Sequence, residues 1–412
     1  MRRFTTAALA VTTLLALGST ALSAQAAPTS TSGSDRSGAY IVVLKDDAAP
    51  AKVASDHATK YGADVGHLYR AALKGYSAHM SASSAARVAN DSRVLFVQRD
   101  GVVHATAQTT PTGINRADAE LSPTAKINGL DERVNVDVAV IDTGVDFSHP
   151  ELNVYTAGAK NCSTGNSAND GNGHGSHVAG TIGAIDNGNG VVGMAPGARI
   201  WPVRVLNNAG SGTYSAIVCG IDYVTAHASE IEVANMSLGG GGTDDGNCGN
   251  TNNDAMHKAI CASVAAGITY VVAAGNETDN AANHVPAAYD EVITVSALAD
   301  FNGLPGGGAA ATCRTDVDDT FASFSNYGAD VDIIAPGVCI NSTWKGGGYS
   351  TISGTSMASP HVAGGAALYK ANNPGATPAQ VKAALRAAGT TNWTNTDDPD
   401  GIKEPLLNVS TF

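Results

Sequence analysis

The stretch Val134-Asn-Val-Asp-Val-Ala-Val-Ile-Asp142-Thr-Gly144 is a β-branched run that stops at a turn triplet. β-Branched side chains suit a pleated, buried strand, so Asp142 stands where such a strand gives out. Similar short apolar runs follow at 199–205, 232–236, 269–274, 292–296 and 331–334. Helical patterns lie between several of them, at 177–185, 214–226, 253–266 and 357–371. Strand alternating with helix predicts an α/β fold with a mostly parallel sheet. Sheets of that kind carry their sites at the carboxyl ends of strands, the position Asp142 holds. A last helix is expected over 377–388, with Thr377 as its cap and Pro378 in its first turn.

The pattern changes ahead of this block. Residues 38–105 read as strands at 40–44, 75–80 and 94–97, helices at 53–61 and 83–90, and a closing pair Val102-Val103. That is a small α+β unit of the ferredoxin-like kind. The polar, Pro-bearing stretches 28–37 and 106–113 read as linkers, so the larger unit is 106–412. At the N-terminus Arg2-Arg3 precede a small or apolar run, Ala7 to Leu22, and the triplet Ala24-Gln25-Ala26. This is the pattern of a secretory signal peptide, residues 1–26, and predicts a secreted, extracellular protein. No later stretch reaches the roughly 18 apolar residues of a membrane span, so no membrane association is expected.

Of the 412 residues, 43% are hydrophobic and 15% charged, which supplies a large core and excludes a disordered chain. The 24 Lys+Arg against 37 Asp+Glu give a net charge of −13, so no nucleic-acid partner is expected. All six cysteines follow the signal segment and none forms CxxC, which predicts disulfides rather than a zinc ribbon. Cys248–Cys261, across a Gly/Asn-rich loop, is the readiest pair; Cys313–Cys339 and, by elimination, Cys162–Cys219 complete the expected set.

Four stretches carry chemistry. In VIDTGVD, Asp142 can accept a hydrogen bond from an imidazole while shielded from water; the plainer role is a turn carboxylate. An aspartic-protease reading of Asp-Thr-Gly needs a second such triplet, and none is evident. In NGHGSHVAG, Gly173 and Gly175 leave the His174 ring accessible. His177, three residues on, suggests zinc only weakly, since this is not His-Glu-x-x-His, and it reads as structural. In SGTSMASPHVAG, Ser356 opens an apolar helix whose free N–H groups favour an oxyanion, although a plain N-cap looks the same. In VVAAGNE, a strand ends on Asn276, whose amide can donate to an oxyanion.

In this order the four stretches resemble the subtilisin-like serine proteases, with the proteinase K branch nearest. Ser237-Leu-Gly-Gly240, Phe324-Ser-Asn-Tyr-Gly328 and Ala335-Pro-Gly337 extend the resemblance over about residues 110–410. It implies a three-layer subtilisin-like fold and a serine endopeptidase, with Asp142, His174 and Ser356 as its triad and Asn276 as oxyanion donor. Ser237, Leu238 and Gly239, with Ala273, Ala274 and Gly275, would bind an extended peptide by its backbone. The pocket segment carries no charge, which points to broad cleavage after apolar or aromatic residues. Residues 38–105 would be a propeptide that aids folding and inhibits the enzyme until cleaved, the mature chain starting near Ala105 to Thr109. No catalytic cofactor is implied, the enzyme is expected to be a monomer, and its partners are protein substrates and its own propeptide. A structural calcium ion is implied on Asp332 and the carbonyls of Asp290 and Val292. Ser176 departs from the threonine usual in the family, and 300–320 looks like an insertion. Sedolisin-like acid peptidases share the serine motif but carry Glu where His174 stands. A catalytically dead relative or a wall-bound structural protein finds no support in the motifs.

Overall fold

The computed structural model describes residues 37–100, 107–395 and 398–412. The expected signal peptide, most of the first linker and the Val102-Val103 strand lie outside these residues. Two compact units divide between His104 and Ala105.

The small unit runs β1 (Ser37–Leu44), α1 (Pro50–Tyr61), β2 (Asp64–Tyr69), β3 (Gly75–Ser81), α2 (Ala82–Ala89) and β4 (Val94–Arg99). Its antiparallel sheet has the order β2-β3-β1-β4, the split βαβ arrangement of a ferredoxin-like fold. The sequence reading missed β2. Gly66 and half-exposed side chains hide its period, and its pairing with β3 shifts register between Val65 and Leu68. The core is Val42, Val53, Tyr76, Met80, Val88 and their neighbours.

The large unit contributes, in order, α3 (Thr112–Arg116), β5 (Asp137–Asp142), β6 (Lys160–Asn161), α4 (His174–Gly183), β7 (Arg199–Arg204), α5 (Tyr214–Ala226), β8 (Val233–Met236) and β9 (Gly240–Gly241). There follow α6 (Ala255–Ala265), β10 (Thr269–Ala273), β11 (His284–Val285), β12 (Ile293–Ala299), β13 (Thr320–Phe321), β14 (Ile333–Pro336), β15 (Ile340–Trp344), β16 (Gly348–Ile352), α7 (Thr355–Asn372) and α8 (Pro378–Ala388). The main sheet has the order β13-β12-β10-β8-β5-β7-β6, with β14 also on β12. Every pairing in it is parallel except β12 with β13.

Strand alternation divides the core in two. Val138 and Val140 of β5 face one cluster, with Val178 and Ile182 of α4, Val362 and Ala366 of α7, and Leu385 of α8. Ala139 and Ile141 face the other, with Ile221 of α5 and Ile260 of α6. The result is helix, sheet, helix in three layers. All six strands and five helices expected in this unit appear, with ends shifted by a few residues. The three disulfides are Cys162–Cys219, Cys248–Cys261 and Cys313–Cys339, the expected pairs. The 300–320 stretch is held partly by carboxylates: Asp318 accepts from the N–H groups of Phe301 and Ala309, and Asp319 from Gly307. Among the described residues no helix is long and apolar enough to cross a membrane.

Candidate active site

Asp142 ends β5 with its side chain fully buried. Its carboxylate is nonetheless well supplied with donors. The backbone N–H of Thr143 donates to Oδ1 at 2.6 Å. His174 Nδ1 lies 2.8 Å from Oδ1 and 3.0 Å from Oδ2, so the ring N–H points at the carboxylate and leaves Nε2 for the cleft. Burial disfavours the charged form of His174, but Asp142, by charge and by hydrogen bond, with Asp170 behind it, outweighs this and raises its pKa.

His174 is the first residue of α4, and the two glycines beside it are forced by close approach. Any Cβ on Gly173, which has φ +119°, would lie 2.2 Å from the Trp344 ring. A Cβ on Gly175 would lie 2.0 Å from the Gly144 carbonyl oxygen. The free N–H groups of this helix start are met from outside: Thr143 Oγ1 accepts from Gly175 at 2.9 Å, and Asp170 Oδ2 from Ser176 at 3.0 Å. Asp170 also accepts from the hydroxyls of Thr143 and Ser176, locking the Asp142 turn to the His174 helix. Sequence reading missed Asp170; lying between motifs, it looks like any loop Asp. Ser176 keeps the hydroxyl that this network needs, which is why the departure from threonine is mild.

His177 stays structural. Its Nε2 donates to the carbonyls of Ile340 and Ser350, and burial lowers its pKa to about 4. A ring that donates to carbonyls is not a metal ligand at that nitrogen.

Ser356 is the second residue of α7. The hydroxyl donates to the Ser237 carbonyl at 3.3 Å rather than to His174. Pro360 explains an unusual contact here. A proline inside a helix has no N–H for the carbonyl four residues earlier. That carbonyl belongs to Ser356, and it accepts from Ser237 Oγ at 2.8 Å instead. Asn276 follows β10 and Gly275. Its Oδ1 accepts from both Thr355 N–H (2.8 Å) and Thr355 Oγ1 (3.1 Å), which turns the NH₂ group to the pocket side.

His174 and Ser356 line one cleft of about 830 Å³ with Ser237, Leu238, Gly239 and Tyr214. Asn276 and Ser356 line an adjoining pocket of about 320 Å³ with Leu238, Gly239, Ala273, Ala274 and Gly275. All the residues expected to bind substrate therefore border these two spaces. The pocket also holds Glu277 and His284, which sequence reading missed. His284 is paired with Asp279 at 3.1 Å and Glu277 at 3.7 Å, so the wall is less purely apolar than 273–275 alone suggested.

The expected calcium position is corrected. The oxygens of Asp332, Asp290 and Val292 do converge, but on the ammonium of Lys382. Its Nζ lies 2.7 Å from Asp332 Oδ2, 2.8 Å from the Val292 carbonyl and 3.2 Å from the Asp290 carbonyl. Arg386, one turn along α8, takes Asp332 Oδ1 at 3.1 Å. The residues present do not fit a metal ion there, because the chain supplies its own cation.

The Subtilase family model matches residues 134–401, and the Peptidase inhibitor I9 model matches 39–106. Subtilisin DY of Bacillus licheniformis is 41% identical over 307 residues, covering 74% of this chain and 98% of its own. Subtilisin NAT of Bacillus subtilis subsp. natto is 39% identical over 303 residues, 73% of this chain and 71% of its own. An extracellular serine proteinase of Thermus sp. (strain Rt41A) is 39% identical over 343 residues, 80% of this chain and 74% of its own. Among solved structures, a cold adapted subtilisin-like serine proteinase aligns with a TM-score of 0.53 at 34% identity, over 71% of this chain and 98% of that one. The chain thus belongs to the subtilase family: it is a serine endopeptidase with an inhibitor-type propeptide domain at its N-terminal end.

Proposed function

We propose that the chain is a secreted endopeptidase that cleaves proteins through Asp142, His174 and Ser356. The observation that carries this is the paired hydrogen bond of buried Asp142 to His174 Nδ1, at 2.8 and 3.0 Å, beside a cleft shared by His174 and Ser356. In this reading Ser356 Oγ attacks the peptide carbonyl carbon and His174 Nε2 takes its proton. Asp142 fixes the tautomer of His174 and stabilises the imidazolium. The Asn276 NH₂ and the Ser356 N–H, free in the first turn of α7, hold the oxyanion. His174 returns the proton to the leaving amine, and water then opens the acyl-enzyme with His174 again as base. No cofactor is called on, since side chains and backbone supply every role.

Segments 237–239 and 273–275 would hold the substrate as an added strand. The apolar walls, Leu238, Ala273, Ala274 and Val285, favour broad cleavage after apolar or aromatic residues. Residues 38–105 act as inhibitor and folding aid until cut away, and the mature enzyme works as a monomer. Secretion rests on the N-terminal sequence pattern and on the extracellular relative from Thermus.

Labelling with a fluorophosphonate tests the core of this reading. It phosphonylates a serine only where a base and an oxyanion site are both in place. Peptide mapping is expected to find the adduct on Ser356, and none after Ser356→Ala or His174→Ala. An adduct that survives either change overturns the assignment.

A further inference from the structure

Among the described residues two groups of His, Cys, Asp and Glu side chains bring their ligand atoms within 4.8 Å of one another, and both include His257. In the first, with Cys248, Cys261 and Glu291, the two sulfurs are joined in a disulfide and have no thiolate to give. The second is Asp244, Asp245 and His257.

His257 lies in the first turn of α6 and is fully buried. Its ring stacks on Tyr289, with centroids 4.0 Å apart and planes within 4° of parallel. Nε2 lies 2.9 Å from Glu291 Oε2, and a carboxylate can only accept, so Nε2 donates. Nδ1 is buried and has no hydrogen-bond partner. It faces Asp244 Oδ1 and Asp245 Oδ1, each at 3.5 Å. A proton on Nδ1 reaches neither carboxylate in hydrogen-bonding geometry, and a bare lone pair there faces two negative charges. Only a cation between the three atoms resolves this. The chain does not supply one: among the described residues the ion pairs of Asp244 and Asp245 are with His257 alone. Lys258, next along the helix, gives its Nζ to Asn250 Oδ1 at 2.8 Å. The contrast is with Asp332, where Lys382 and Arg386 fill the need.

We infer that Asp244, Asp245 and His257 form a site for one zinc ion, its remaining positions open to water. One imidazole nitrogen and two carboxylate oxygens suit a borderline ion, whereas calcium takes oxygen ligands alone. The spacing agrees. With bonds of about 2.0–2.2 Å, neighbouring ligands of a tetrahedral zinc ion lie about 3.4 Å apart. Glu291 takes the part of the carboxylate behind a metal-bound histidine: it accepts the Nε2 proton, fixes the tautomer and leaves the Nδ1 lone pair for the ion. Asp245 is set in place by the backbone N–H groups of Asn247, Gly249, Thr251 and Asn252. Asp244 keeps 18% of its side chain exposed, which gives the ion a way in. The two acids follow Gly241, a residue of the pocket that holds Asn276, by three and four positions. Zinc would therefore tie the chain leaving that pocket to α6.

Calorimetric titration of the untagged full chain with zinc chloride tests this, after chelation and on a Ser356→Ala background that keeps the sample intact. One ion per chain is expected to bind, and a large excess of calcium should leave its affinity unchanged. His257→Gln should abolish binding. Glu291→Gln should weaken it about 10–100-fold, as loss of an orienting carboxylate does, and Asp244→Asn, which removes a ligand, by at least as much. Asp332→Asn and His174→Ala should bind as the parent does. Should His257→Gln fail to fold, Asp244→Asn and Glu291→Gln decide. A parent that binds no stoichiometric zinc overturns the site. Undiminished affinity in Asp244→Asn and Glu291→Gln overturns it too, placing the ion elsewhere, and displacement by calcium overturns the assignment to zinc.

Discussion

Asp142, at the carboxyl end of an interior strand of the main sheet, and Glu404, in the C-terminal loop, are both buried carboxylates, and the chain treats them in opposite ways. Asp142 meets the Thr143 N–H and the His174 ring, two donors built around its carboxylate. Among the described residues neither carboxylate oxygen of Glu404 has a hydrogen-bond partner, so burial, with Asp398 and Asp400 nearby, drives it toward the neutral form. Burial without donors favours the neutral form of a carboxyl group, and donors offset that cost. The first environment is the one the proposed catalytic role of Asp142 requires; the second holds a proton.

The sharpest way to break the comparison is at the catalytic end. Ser356→Ala should lower turnover of a peptide substrate on the order of 10⁶-fold, the size subtilisin itself shows, and leave the precursor uncut. Near-normal hydrolysis by the purified variant would remove the enzyme mechanism altogether. Asp142→Asn comes next, with a loss of about 10⁴ in kcat, since the amide no longer fixes the His174 tautomer. If kcat instead fell less than tenfold, the Asp142–His174 bond would be structural only. Asn276→Ala should cost about 10²–10³ in kcat with KM little changed, because an oxyanion donor acts in the transition state. An effect confined to KM would make Asn276 a substrate contact.

Titration sharpens the contrast further. In the proposed role His174 must be neutral to act as base; burial lowers its pKa, but Asp142 outweighs burial and raises it above 6.5. Activity should therefore fall as pH drops through a value above 6.5, about tenfold per unit once below it. A kcat/KM limb below pH 6 would mean that Asp142 does not act on His174. The smallest effect belongs to Glu404. Its pKa is raised from 4.5 to about 8, so between these values the unfolded chain releases a proton that the folded one keeps. Stability should fall as pH rises through that window. Asp398 and Asp400 face the group, and Lys403 does not. A melting profile that Glu404→Gln leaves unchanged would show that the side chain is not the titrating partner.

The residues proposed for catalysis stood out because each sits in a local motif with its own physical reason. Asp142 closes a β-branched run, His174 stands between two forced glycines, and Ser356 opens an apolar helix. The outlines of the three layers followed from alternating strand and helix patterns in the same way. What escaped were partnerships that only the fold creates. Lys382 and Arg386 belong to no motif, and it is α8 that carries them onto Asp332. Asp170 and His284 lie in loops with no periodic signal, and their partners are set by tertiary approach. Strand β2 was lost because its side chains are half exposed and its register breaks. Glu404 belongs to no motif in the sequence, and only its burial in the fold reveals the unmet oxygens.

The proline at position 360 has a mechanical consequence. By withdrawing one rung from the α7 ladder it hands the Ser356 carbonyl to the Ser237 hydroxyl. The segment proposed to grip the substrate and the residue proposed to attack it therefore share a linkage outside the helix. A peptide that tugs on 237–239 pulls on the backbone of Ser356, and a nucleophile out of place slackens the grip. Ser237→Ala cuts this coupling without touching the triad, leaving two parts that were one lever to move independently.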